Sequence, residues 1–178
     1  MSVTFMILMG PIGVLLIVLN KWPIIGMLGE NNRMVKELKS ARWFQSYWYA
    51  GLFLFVMNAV LFFLTGFLLF NVSMVSFVLL LMIIFAIIGS FFLWAIIHKA
   101  WQSTNRNRLK MAAIGSSFYV ILTFVFIYWS VTLEPSYPGE DTFMRGMGLF
   151  LGAFITTVAC ISCFVFTGFP KKKAVEEM

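Results

Sequence analysis

Residues 74–97 read MVSFVLLLMIIFAIIGSFFLWAII, a stretch without a charged residue, and His98 and Lys99 follow it directly. About 20 consecutive apolar residues in a helix are enough to cross the hydrocarbon core of a bilayer, which is about 30 Å thick. Charged residues at the end of such a run mark the membrane surface. The stretch therefore predicts a transmembrane helix, with His98 and Lys99 as its stop signal.

Four further runs of the chain have the same character. The five runs lie at about 3–19, 48–70, 74–97, 111–133 and 146–169, and none of them contains Asp, Glu, Lys or Arg. The composition agrees, because 61% of the 178 residues are hydrophobic and 11% are charged, whereas about 25% are charged in a soluble domain. We predict an all-α, polytopic integral membrane protein that forms a single membrane domain of five transmembrane helices.

The first run, 3–19, is the shortest and includes Gly10-Pro11, where a helix would kink. A signal peptide is the alternative interpretation of this run. No basic residue precedes Lys21, and no small-residue cleavage site follows the apolar stretch. We therefore expect residues 3–19 to remain in the protein as a transmembrane helix.

Basic residues are distributed unevenly between the predicted loops. The segments 20–47 and 98–110 and the tail 170–178 hold all but one of the thirteen Lys and Arg residues, and the exception is Arg145. Loops rich in Lys and Arg stay in the cytoplasm, so the N-terminus is predicted outside and the C-terminus inside. This arrangement accounts for the net charge of +6 without nucleic acid as a partner. No organellar signal is evident, and we expect a bacterial cytoplasmic membrane.

The cytoplasmic segment 20–47 contains an amphipathic stretch at 30–46. Its apolar residues fall on one side of a helix and its charged residues largely elsewhere; the apolar set is Met34, Val35, Leu38 and Ala41. This pattern predicts an interfacial helix that lies on anionic lipid at the cytoplasmic face of the bilayer. A plain solvated connector is the alternative.

The residue types that usually perform chemistry in membranes are almost missing. Proton relays and ion-coupling sites need ionisable groups within the spans, and a haem held between two histidines needs more than the single His98. Cys160 and Cys163 have the spacing of a thiol redox motif, but their run supplies no cation to activate a thiolate. We predict that they are packing residues, and we expect no catalysis, cofactor or metal.

Small and polar residues recur on single helix faces, where they allow helices to approach closely and to form hydrogen bonds. Asn58 and Thr65 are seven residues apart, as are Ser116 and Thr123, while 148–152 forms a G-x-x-x-G motif. The candidate helix-contact or polar-path residues are Asn58, Thr65, Ser116, Thr123, Gly148 and Gly152.

These patterns support two functional hypotheses. The first is a non-catalytic accessory, regulatory or immunity-type subunit that acts through helix contacts with another membrane protein, or with a second copy of itself. The alternative is a small permease or channel for an uncharged or weakly polar solute. Its path would be lined by the four polar candidates, Asn58, Thr65, Ser116 and Thr123.

Overall fold

The computed structural model describes residues 33–71, 76–135 and 142–169, and this part of the chain is helical without strands. The elements are α1 (Arg33–Ser40), a 3-10 helix (Arg42–Gln45), α2 (Tyr47–Asn71), α3 (Ser76–Ala100), α4 (Asn105–Val131) and α5 (Phe143–Gly168). Helices α2 to α5 are long and apolar enough to cross a membrane. The all-α prediction is confirmed here, while the first predicted span, 3–19, and the tail 170–178 lie outside the described residues.

The ends of the observed helices differ from those of the apolar runs that predicted them, and the helices reach further at the charged ends of α3 and α4. Helix α4 begins at Asn105 rather than at residue 111, because the Thr104 hydroxyl accepts a hydrogen bond from the Asn107 backbone N–H at 3.4 Å and caps the helix. Similarly, α3 continues through His98 and Lys99 to Ala100. Hydropathy marks where the chain becomes apolar, whereas capping and backbone hydrogen bonds decide where a helix begins and ends.

The four long helices bring their charged ends together. The side-chain amide nitrogen (Nε2) of Gln45, just before α2, donates to the Ala100 carbonyl at the end of α3. Near the start of α4, Arg108 donates to the His98 carbonyl of α3, and Gly168 at the end of α5 lies against Ala112 of α4. We call this the basic end of the bundle, since it gathers the described Lys and Arg residues other than Arg145.

The buried core lies in the half of the bundle nearest the basic end. Its largest fully buried side chains include Leu54 of α2, Ile97 of α3, Met111 of α4 and Phe166 of α5. The described side chains in the other half of these helices are not buried; that half comprises residues 59–71, 81–90, 120–131 and 143–155. We call these four segments the apolar far half, in which Phe85, for example, is 71% exposed.

Helix α1 packs against α3 at the basic end. Val35 is 3% exposed, whereas Met34, expected on the same apolar face, is 59% exposed. The predicted continuous helix over 30–46 is also interrupted, because Ala41 has an extended backbone (φ −74°, ψ 110°) between α1 and the 3-10 helix. The apolar side of α1 therefore contacts the protein itself, and its charged side remains exposed.

Candidate functional site

Asn58 of α2 joins all four long helices. Its side chain is 0% exposed, and its Nδ2 donates to the Gly115 carbonyl at 3.2 Å and to the Cys163 Sγ at 3.6 Å. Its Oδ1 accepts a hydrogen bond from the Trp94 Nε1 at 3.0 Å. We call Asn58, Trp94, Gly115 and Cys163 the Asn58 hub. Both amide hydrogens and the amide oxygen are engaged, so the hub satisfies the most polar side chain in the predicted spans.

The hub depends on a close approach of α2 to α4. A Cβ atom added to Gly115 would lie 2.8 Å from the Leu54 Cβ, and one added to Gly51 would lie 2.8 Å from the Ile114 Cβ. Both distances are shorter than real side chains tolerate, so each crossing position requires glycine. The absence of a side chain at Gly115 also lets the Asn58 amide reach the carbonyl of that residue.

Aromatic packing fixes the position of the Trp94 indole. The ring centroid of Trp94 lies 5.2 Å from that of Phe91 and 6.2 Å from that of Phe166. These tilted and edge-on arrangements are favourable geometries for aromatic pairs. The indole N–H is consequently held toward the Asn58 oxygen from two sides, by one residue of its own helix and one of α5.

A second polar contact joins α4 to α5 at the border of the apolar far half. The Thr123 Oγ1 lies 2.8 Å from the Thr156 Oγ1, and Thr156 is 3% exposed. A Cβ atom added to Gly152, one turn before Thr156, would lie 3.1 Å from the Phe126 ring. Thr123 and Gly152 therefore lie at the contact between these two helices, where small and polar residues allow a close approach.

The remaining candidates differ from one another, because Ser116 lies beside Cys160 of α5, whereas the hydrogen bond of Thr65 stays within its own helix. The Thr65 hydroxyl donates to the Leu61 carbonyl of its own helix at 2.7 Å, and the buried Ser116 hydroxyl donates to the Ala113 carbonyl at 3.3 Å. A Cβ atom on Gly148 would meet nothing within 4 Å. Gly148 is thus not a helix contact within the described chain, and only Gly152 of the G-x-x-x-G motif packs against α4. Gly148 instead lines a shallow depression beside Arg145.

The two cysteines differ in their surroundings. Both thiols are free, and Cys163 is buried while Cys160 is half-buried. Cys163 accepts the hydrogen bond of Asn58, which assigns it a role in helix packing. Ser116 of α4 lies beside Cys160, so both sulfur atoms lie next to polar groups of neighbouring helices.

Sequence reasoning did not identify the residues that hold the basic end together. Arg108 is 9% exposed, and its Nη2 donates to the His98 and Trp101 carbonyls at 3.1 and 3.2 Å. The Gln45 Oε1 accepts a hydrogen bond from the Gln102 N–H at 3.1 Å. These side chains form hydrogen bonds with backbone groups at the C-terminus of α3. The positive charge of Arg108 also interacts favourably with the negative end of the α3 helix dipole. The feature of the sequence that could have identified Arg108 is its position a few residues after the end of α3.

The described residues contain no group of three or more His, Cys, Asp or Glu side chains that could hold a metal ion. The polar side chains of the hub and of the Thr123–Thr156 pair bind one another or backbone carbonyls. What this arrangement does is hold helices in register. Comparison of the chain with protein-family models, curated protein sequences and solved structures finds no match.

Proposed function

We propose that this chain is a non-catalytic, multi-pass membrane protein that acts as an accessory, regulatory or immunity-type subunit through helix contacts with another membrane protein. The observation that carries the proposal is the Asn58 hub, in which an Asn side chain without solvent exposure is bound by groups of three other helices. Polar groups arranged in this way stabilise a membrane protein from within. Because these polar groups are used for packing, we infer that the protein acts through the surface of the bundle.

The hub also weighs against the permease hypothesis. A path for a polar solute needs polar side chains that face a water-filled cavity. Asn58 and Ser116 are buried, Thr65 bonds to its own helix, and Thr123 pairs with Thr156. The four residues proposed for such a path therefore point to internal partners, which supports the subunit hypothesis over transport.

The distribution of charge supports one orientation in the membrane. The basic end of the bundle would face the cytoplasm, because basic residues accumulate on that side of bacterial membranes. Arg145, near the start of α5, then lies outside. With residues 3–19 as an additional span, the N-terminus is outside and the C-terminus inside, in a bacterial cytoplasmic membrane.

The apolar far half is the proposed surface for the partner. It presents large aromatic side chains from each long helix, among them Phe67, Phe85, Phe124 and Phe150. About two thirds of each of these side chains is left uncovered by the bundle, so an apolar environment must cover them. A partner helix packed there would bury rings that lipid otherwise contacts.

Site-specific photocrosslinking in native membranes tests this proposal. Phe85 in the apolar far half and Phe92, two turns away on the same face of α3, are both exposed. We replace each in turn with benzoylphenylalanine and irradiate intact membranes. The proposal predicts an adduct with one other membrane protein from position 85 and little or none from position 92.

Four outcomes would contradict the proposal. Adducts with lipid alone at position 85 would remove the evidence for a partner, and equal adducts at both positions would show that the far half is not the contact surface. An adduct of twice the monomer mass would show that the partner is a second copy of this chain and not a different membrane protein. Uptake of a polar solute by proteoliposomes of the purified protein would favour the permease.

A further inference from the structure

Exposed basic side chains at the basic end belong to several elements but form one surface. Gln45 connects these elements, because its Nε2 donates to the Lys39 carbonyl of α1 at 3.4 Å and to the Ala100 carbonyl of α3 at 3.3 Å. The exposed basic residues on this surface, here called the basic rim, are Arg33, Lys36, Lys39, Arg42, Arg106 and Lys110, and the Lys110 Nζ lies 5.2 Å from the Tyr47 ring centroid.

The way in which α1 docks decides what the rim can bind. Val35 and Phe44 are buried in the protein core, so most of the apolar side of this segment packs against the bundle, although Met34 is exposed. The charged side faces outward. Glu37, the acidic residue described at this end, forms an ion pair with Arg33 at 2.7 Å. The rim therefore retains a strong positive charge directed away from the bundle.

Aromatic side chains next to the rim place it at the level of lipid headgroups. Trp43, adjacent to Arg42, is 47% exposed, while Trp48 and Tyr49 in the first turn of α2 are more than half exposed. Exposed Trp and Tyr at the end of an apolar helix are typical of the membrane–water interface. Basic side chains beside them reach the phosphate region of the same leaflet.

We propose that the basic rim binds the headgroups of anionic phospholipids in the cytoplasmic leaflet. The attraction is electrostatic, because most of the apolar side of α1 is already used for packing against the bundle. This inference rests on the membrane placement proposed above. It differs from the insertion of an amphipathic helix by its apolar face, which would depend little on salt.

Electron paramagnetic resonance with spin-labelled lipids tests the inference on the full-length protein in phosphatidylcholine vesicles. Motionally restricted phosphatidylcholine reports contact of the protein with lipid, which tests the membrane placement by itself. The ratio of restricted phosphatidylglycerol to restricted phosphatidylcholine reports selectivity. We expect selectivity of about fivefold at low salt, the factor expected when one basic residue attracts an anionic surface.

Substitutions connect this selectivity to the rim. In the variant Lys39→Gln/Arg42→Gln/Arg106→Gln, the ratio is expected to fall toward one, because half of the rim charges are removed and Arg33 is paired with Glu37. The unmodified protein should give a ratio of about one in ~1 M salt, where the Debye length is about 3 Å. Arg145→Gln, which removes a charge near the start of α5, should leave it unchanged. Equal restriction of both lipids by the unmodified protein, or undiminished selectivity in the triple variant, would overturn the inference.

Discussion

Replacement of Asn58 with leucine is expected to lower the free energy of unfolding by about 2 kcal/mol, since three interhelical hydrogen bonds of about 0.6 kcal/mol each are lost. The change removes the acceptor of the Trp94 indole and the donors to Gly115 and Cys163. Leucine has the same branched arrangement of four side-chain heavy atoms as asparagine, so it is the closest apolar replacement in shape. Titration of the reconstituted protein with sodium dodecyl sulfate, followed by tryptophan fluorescence, measures the change.

Thr65→Val is the matched control for Asn58→Leu. Thr65 is on the same helix, but its hydroxyl donates only to the Leu61 carbonyl of that helix, so the expected change is within about 0.5 kcal/mol. The variant Asn58→Leu/Trp94→Phe provides a second check, because residues in one network are not additive. Equal losses for Asn58→Leu and Thr65→Val would show that the hub does not hold the helices together.

Replacement of Gly115 with alanine is expected to destabilise the bundle by about 1–3 kcal/mol, the usual cost of overpacking a core. The new methyl group would lie 2.8 Å from the Leu54 Cβ, so α2 and α4 must separate. Their separation would also lengthen the bond from Asn58 to the Gly115 carbonyl. The same detergent titration measures this loss, and Leu54→Ala in the Gly115→Ala background should recover part of it.

Gly148→Ala serves as the control for Gly115→Ala. A methyl group at Gly148 meets nothing within 4 Å, so this variant should retain the stability of the unmodified protein or gain slightly from the better helix propensity of alanine. A loss at Gly148 as large as that at Gly115 would contradict the described packing of α5. Full stability of Gly115→Ala would contradict the close approach of α2 and α4.

Most of the helical architecture followed from hydropathy alone. Charge-free runs predicted α2 to α5 within a few residues at most ends, because few structures other than a helix bury so long an apolar segment. The start of α4 was placed too late, since Arg106, Arg108 and Lys110 interrupt the apolar run although the Thr104 cap already begins the helix. The docking of α1 on α3 was not predicted, because amphipathicity identifies an apolar side without showing what covers it.

The sequence singled out Asn58 as a candidate but not the residues that pair with it. Asn58 stood out as a polar residue deep in an apolar run, and the stripe through Thr123 identified a real contact. Trp94 and Gly115 did not stand out, because residue spacing describes one helix and not the angle at which two helices cross. Gly148 belongs to the G-x-x-x-G motif, yet an added Cβ atom there would meet no other residue within 4 Å. A motif can therefore match a helix-packing pattern without making a helix contact.

The central claim is that the polar groups of this bundle are sealed among its helices and do not line a path for solute. Cys163 of the Asn58 hub tests it without any substitution, because it is buried and its thiol is free. Intact membrane vesicles are treated with a small charged methanethiosulfonate reagent, and modified peptides are identified by mass spectrometry. The account predicts no modification of Cys163 until the protein is unfolded with detergent. Modification of Cys163 in the folded protein would reveal water at Asn58 and contradict the account.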